Sequence, residues 1–272
     1  MHARRPTFEP VILLYPAIAA LYGVASWVRN TPGGARARSA AALIVVALVL
    51  HAITVARAIV TPAGLDLSFA HAVSLVAWLT VLLAGLSGVL AKLPSVGNVI
   101  LPVAAVCALA PLAGGTPHRF PYAGEPWATA HIAVALVAYA LFVVAALQAL
   151  LLVGLEKRLH RGLALPEADG TVPLLTLERF LFRLVGLGFV LLTLTLASGF
   201  LFSEQLFGRP LTFNHKNVFS VLGWLTFGTL LVGRWRYGWR GRRALYWILA
   251  GTGLLLLGYL GSKFVAEVIL GR

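Results

Sequence analysis

The sequence predicts an all-α fold, a polytopic transmembrane helical bundle of about eight spans with both termini extracytoplasmic. Three observations predict it. Of the 272 residues, 60% are hydrophobic and 11% charged, and the mean hydropathy of +0.89 lies far outside the range of soluble domains. Apolar stretches of about 20 residues, enough to cross the hydrocarbon as a helix, recur from end to end. Between them stand short segments carrying the Gly and Pro of turns.

The spans are expected at roughly 10–28, 40–60, 69–90, 97–113, 128–154, 182–206, 216–233 and 243–268, with ends good to about four residues. The first follows the basic stretch "MHARRPTFEP" and lacks a small-residue cleavage site, so it reads as a retained span rather than a removed signal. The fourth is short and interrupted by Pro102. The turns "NTPGGARARS", "TPAGLD", "KLPSVGN" and "PLAGGTPHRFPYAGEP" separate the early spans, and only residues 155–181 make a long polar connection, expected to be cytoplasmic. The chain reads as a single transmembrane domain without an internal repeat. Small residues in "GLSG" (85–88), "GLGF" (186–189), "GTG" (251–253) and "GYLG" (258–261) suit close approach of helices.

A net charge of +13 could suggest nucleic acid, but in a polytopic protein Lys and Arg collect in cytoplasmic loops. Counted by alternate loops, they divide 14 to 8. The richer side, with 155–181 and "GRWRYGWRGRR", is expected to be cytoplasmic. Nucleic-acid binding is excluded on this reading, and the partner implied first is the lipid bilayer. Cys107 stands alone in an apolar run, so no disulfide framework and no CxxC motif is available. It reads as packing.

Placed on this topology, the seven histidines sort unevenly. His2 and His160 fall in solvated positions. His51, His71, His118, His131 and His215 all fall in the outer half of the membrane or in outer loops. His51 would lie about 13 Å inside the outer boundary and His131 about 5 Å. An ionisable group at the depth of His51 is costly and marks a candidate functional site. The plainer account is a neutral imidazole hydrogen-bonded to a neighbouring helix.

Imidazole is a strong ligand for haem iron, and helical bundles house haem between facing helices. Zinc is disfavoured, because there is no HExxH and no carboxylate placed among the membrane histidines. A proton relay would need a chain of carboxylates or histidines through the inner half as well. No GxSxG elbow supports a hydrolase, and matched discontinuous helices, the mark of many transporters, are not apparent. The chain is not expected to be a bond-making enzyme.

Four stretches carry a resemblance: "HIAVALVAYALFVVAAL" (131–147), "LLTLTLASGFLFSEQLFG" (191–208), "NHKNVFSVLGWLTFGTLL" (214–231) and "RYGWRGRRA" (236–244). From about residue 128 onward the chain resembles the CcsA/CcmC-like integral-membrane cytochrome c assembly family, and within it the YpjD/HemX-like branch. In the haem-handling members of that family, an outer loop carries a tryptophan-rich signature that ends in Asp-Pro-Lys and leads into a span. The segment "LTFNHKNVFSVLGW" (211–224) occupies that place. It departs from the pattern: Leu211 and Phe213 replace tryptophans, Asn214 and His215 replace Asp-Pro, and Lys216 remains. The family's histidine before the signature is matched by His131. Its counterpart after the signature would fall near "AEVILGR", where no histidine stands.

The resemblance implies haem, here haem b, as the cofactor, with His131 at the position of a family ligand; by their placement in the outer half His215 and His51 are the further candidate axial ligands. By depth His131 and His215 are the pair that could share one iron, and a His51–His131 pair stays open. Lys216, Arg209 and Arg119 are the candidate partners for propionates, although interfacial anchoring accounts for them equally. The expected function is haem binding or handling in cytochrome c assembly or haem supply at the bacterial inner membrane, alongside other maturation proteins. The alternative is a membrane regulator or scaffold that binds a haem-biosynthesis enzyme through its cytoplasmic loops.

Overall fold

The computed structural model describes residues 10–30, 34–61, 64–91, 97–114, 119–120, 126–161, 174–201 and 215–270. Among these, the helices are α1 (Pro10–Asn30), α2 (Gly34–Ile59), α3 (Phe69–Ala91), α4 (Gly97–Ala108), α5 (Pro126–His160), α6 (Leu174–Leu201), α7 (His215–Tyr237) and α8 (Gly241–Leu256). The last continues through wider, π-type turns at Leu257–Gly261 and Phe264–Ile269.

Seven of the eight are long and apolar enough to cross a membrane, and α4 is the exception. Its course is nevertheless set by a small antiparallel sheet that the sequence did not announce. Strand β2 (Gly64–Asp66) pairs with β1 (Val60–Thr61) on one side and with β3 (Arg119–Phe120) on the other, in the register Val60↔Leu65, Leu65↔Phe120 and Asp66↔Arg119. The end of α2, the start of α3 and the connection after α4 therefore share one face, so α4 must return across the thickness that α3 crossed. With its 3₁₀ extension (Ala110–Ala113) it reaches about 26 Å, slightly short of a ~30 Å core.

The three-residue link between α1 and α2 makes them antiparallel, which brings Pro10 to the sheet face. At the other end Lys263, beyond α8, donates to the carbonyl of Leu67 beside β2. Both ends of the described chain thus lie on the sheet face. The positive-inside count expects that face to be extracytoplasmic.

The connection expected at 155–181 is shortened from both sides. Helix α5 runs on to His160 because "EKRLH" continues the helix and puts Lys157, Arg158 and His160 in its last turn, where cations favour the dipole. Helix α6 starts at Leu174 and carries Glu178, buried, to a 2.8 Å ion pair with Arg234 at the end of α7.

Two four-helix groups result. Helices α1–α4 contact one another, α5–α8 contact one another, and α3 meets α5 between them. Helix α5 is the central element of the second group, with Ala138, Ala140, Phe142, Val144 and Ala145 all fully buried. Its Phe142 stacks on Phe227 of α7, ring centroids 3.8 Å apart and 14° from parallel. The stack fits because its neighbours are glycines: a Cβ at Gly188 would come within 3.0 Å of the Phe142 ring, and one at Gly251 within 2.8 Å of the Phe227 ring. Leu192, Leu230, Ile248 and Leu255 close the core around it.

Candidate functional site

On the sheet face, between α5, α6, α7 and the π-turned end of α8, lies a cavity lined by Leu67, His131, Leu136, Tyr139, Leu196, Lys216 and Tyr259, among others. Its position follows from helix ends: His131 is in the second turn of α5, Ser198 in the last turn of α6 and Lys216 in the first turn of α7.

His131 is the polar centre of the wall. Its Nδ1 lies 2.7 Å from the hydroxyl of Ser198, which itself donates to the carbonyl of Thr195 at 3.1 Å. In the tautomer in which Ser198 accepts from Nδ1–H and gives its own proton to Thr195, the lone pair of the ring is on Nε2. This is the arrangement in which a metal-ligating imidazole is held by a partner on its other nitrogen. Gly199 leaves room for the ring, since a Cβ there would lie 3.4 Å from His131 Cε1.

The rim is cationic. Lys216 Nζ stands 5.4 Å from the centroid of the Tyr259 ring and Lys263 Nζ 5.8 Å from the same centroid. Of the two, Lys216 lines the cavity, while Lys263 is not among the lining residues and donates to the Leu67 carbonyl; ammonium groups around one aromatic ring repel each other, and a tyrosine quadrupole offsets only part of that. No carboxylate is among the residues lining the cavity. The rest of the wall is largely apolar, with the hydroxyl-bearing Tyr139, Thr195, Ser220 and Tyr259 among it, and the combination suits a flat, largely hydrophobic molecule with anionic ends.

For a haem the fit is partial. The oriented imidazole, the apolar walls and the two ammonium groups match iron, ring and propionates. The cavity as it stands is only about 80 Å³, below the ~300 Å³ lower end of pockets for drug-sized ligands. A porphyrin enters only if side chains or helix ends move apart. Among the described residues no group of three or more His, Cys, Asp or Glu could hold a metal ion.

The structure divides the candidates drawn from the sequence. His131 and Lys216 share the cavity. His215 is the exposed first residue of α7 and is not among the residues lining it. His51 is elsewhere altogether: it is fully buried between α1, α2 and α3, with Nδ1 3.3 Å from the Tyr22 hydroxyl and Nε2 2.9 Å from the Ser74 hydroxyl. Both of its nitrogens are engaged, so the His51–His131 pairing left open by depth is not present, and the hydrogen-bonded neutral imidazole is what the geometry displays. Depth along a helix axis carries no information about which way a side chain faces. Arg119 contributes backbone to β3, and Arg209 lies outside the described residues.

Reasoning from sequence passed over Lys263, Tyr259, Tyr139 and Ser198. A signal for Lys263 existed, because an ammonium inside the apolar run "GYLGSKFVAEVIL" is an intramembrane charge of the kind that marks function. Ser198 had none: a serine in "LTLASGF" looks like a helix-packing residue until its neighbour across the interface is known.

The fold and site together define a class, a multi-pass helical membrane protein with one oriented imidazole and a cationic rim in a cavity at one membrane face. The family described as cytochrome C assembly protein matches residues 39–270, and the chain belongs to it. It is 34% identical over 244 residues, 87% of this chain and 89% of the relative, to the inner membrane protein YpjD of Escherichia coli strain K12. It is 34% identical over 168 residues, 61% of this chain and 62% of the relative, to an uncharacterised 28.8 kDa protein of Azospirillum brasilense. A cytochrome c biogenesis protein CcsA of Thermosynechococcus vestitus is 29% identical over 92 residues, 34% of this chain and 29% of that protein. With its seven apolar helices and an inner-membrane relative matched over most of both chains, this is a multi-pass protein of the bacterial inner membrane.

Proposed function

We propose that the protein handles haem in cytochrome c biogenesis, holding it as cargo in the cavity on the sheet face. Membership of the cytochrome c assembly family supports the general role, and the CcsA relatives are named for cytochrome c biogenesis. The observation that supports the finer reading is the cavity itself, whose lining holds His131, oriented by Ser198 at 2.7 Å, together with Lys216 and no carboxylate. One imidazole and a narrow cavity favour exchangeable binding over a permanently held cofactor. Haem b, the non-covalent form, is the cargo this chemistry suits. In this reading Lys216 and Lys263 pair with propionates, while Tyr139, Leu136 and Leu196 keep water from the iron.

The test is titration of haem into the purified full-length protein, followed by its Soret absorbance. Wild type is expected to shift and sharpen the band at stoichiometric haem, and His131→Ala to leave the spectrum of free haem. Retention of the wild-type band by that variant would sink the reading. The alternative, a scaffold for a haem-biosynthesis enzyme, would use the loop 155–181, of which 162–173 lie outside the described residues, and the stretch 233–243. There Arg234 is tied inward to Glu178 and to the Trp239 carbonyl, at 2.8 and 3.2 Å, so the cavity has the stronger support.

A further inference from the structure

A second, larger cavity is on the opposite face, the one the charge count expects to be cytoplasmic. It measures about 910 Å³ and opens between the end of α5, the start of α6 and the start of α8. The proposed haem site makes no use of it. Its wall carries Lys157 and Arg161 from the end of α5 and Arg240, Arg242 and Arg243 from the turn into α8.

Positive-inside topology explains how many cations lie on this side, but not where they point. Here five of them surround one space, and three crowd the N-terminus of α8, where the helix dipole is already positive and cations are the unfavourable choice. That terminus has no acidic residue in its first turn and no side-chain cap. Two acids also line the cavity. Glu178 is held by Arg234 at 2.8 Å. Glu156 approaches α8 closely, its carboxylate 3.5 Å from where a Gly241 Cβ would stand, and it is the one counter-charge there not paired with Arg234. Arg243 lies over the Trp239 ring, 5.0 Å from its centroid, which fixes its direction.

We infer that this cavity binds a phosphate-bearing anion, gripped by the guanidinium groups of Arg240, Arg242 and Arg243 and by Lys157 and Arg161 across from them. Arginine's planar fork matches two phosphate oxygens at once, and the positive end of the α8 dipole has the right polarity for an anion. Basic pockets between helix ends at this face are where anionic lipid headgroups bind. A phosphodiester headgroup and a soluble phosphate share this chemistry.

Two arms of one experiment separate those sources. The full-length protein in neutral detergent is unfolded thermally while cardiolipin is titrated against phosphatidylcholine, and separately while sodium phosphate is titrated against sodium chloride at matched ionic strength. Saturable stabilisation by cardiolipin or by phosphate is expected, with half-saturation raised about ten-fold in R242Q/R243Q. A response to cardiolipin alone identifies a headgroup site, and a response to phosphate alone a soluble ligand. Wild type responding to neither, or the variant matching wild type, overturns the inference. Should R242Q/R243Q fail to fold, K157Q/R161Q on the facing wall is read in the same way. The outcome is independent of whether haem binds at the other face.

Discussion

The two four-helix groups each bury a histidine contact between helices, and they use it in opposite ways. In α1–α4, His51 is fully enclosed with hydrogen bonds at both ring nitrogens, to Tyr22 and Ser74. The ring also meets Tyr22 edge-on, centroids 5.8 Å apart and planes at 63°. One imidazole thus bolts three helices together and has no capacity left. In α5–α8, His131 is partly open, held at Nδ1 by Ser198 and lining a cavity with a cationic rim. The chemistry of the residue is the same, and the surroundings differ: one imidazole is closed in by helices, and the other lines a cavity.

The sharpest way to break this contrast is to measure both variants on both properties. His131→Ala is expected to weaken haem binding about 100-fold or more, the loss of an axial ligand, with a cost in unfolding of about 1 kcal/mol from the one bond to Ser198. His51→Ala should leave the Soret band of the folded fraction unchanged. The same His51→Ala is expected to cost about 2–3 kcal/mol of stability, from two interhelical hydrogen bonds and the cavity left behind. Reversible unfolding in mild detergent reads it, and a haem effect without a stability effect would overturn the division. Lys216→Gln with Lys263→Gln should weaken haem affinity about ten-fold through the lost charge-assisted contacts. An unchanged affinity would remove the rim from the site.

Within the second group, Gly251→Ala pushes a methyl to within 2.8 Å of the Phe227 ring and should destabilise by about 1–3 kcal/mol. The same change at Gly253, where nothing lies within 4 Å, is the matched control and should be close to neutral. The smallest effect is expected for Ser74→Ala, about 1 kcal/mol, because His51 keeps Tyr22. A loss as large as that of His51→Ala would show that the imidazole has no residual anchor.

Much of the architecture was legible because a bilayer imposes it. With no water to satisfy backbone groups, a long apolar run has little choice but helix, so the spans expected near 10–28 and 69–90 correspond to α1 (Pro10–Asn30) and α3 (Phe69–Ala91). The spacing of Pro102 and the Gly-Pro turn after it likewise marked α4 as the short member. The β1–β2–β3 sheet was not legible, because strands of two or three residues are below any periodicity signal. The extension of α5 to His160 was hidden by the habit of ending a span at its first charges, although a helix leaving the membrane keeps its hydrogen bonds in water.

The site was half legible. His131 and Lys216 stood out as polar groups at the mouths of apolar helices, and the family resemblance pointed to the same pair. Their meeting with Lys263 and Tyr259 joins residues more than 40 positions apart, and the engagement of His51 by Tyr22 joins residues 29 apart. Hydropathy and charge act along the chain and on each segment separately, so composition and order sufficed for membrane, helix and the basic asymmetry of the loops. Which face of each helix turns inward depends on how eight surfaces fit at once, down to glycines that admit the Phe142–Phe227 stack. That fit assigned one histidine to the scaffold and the other to the cavity.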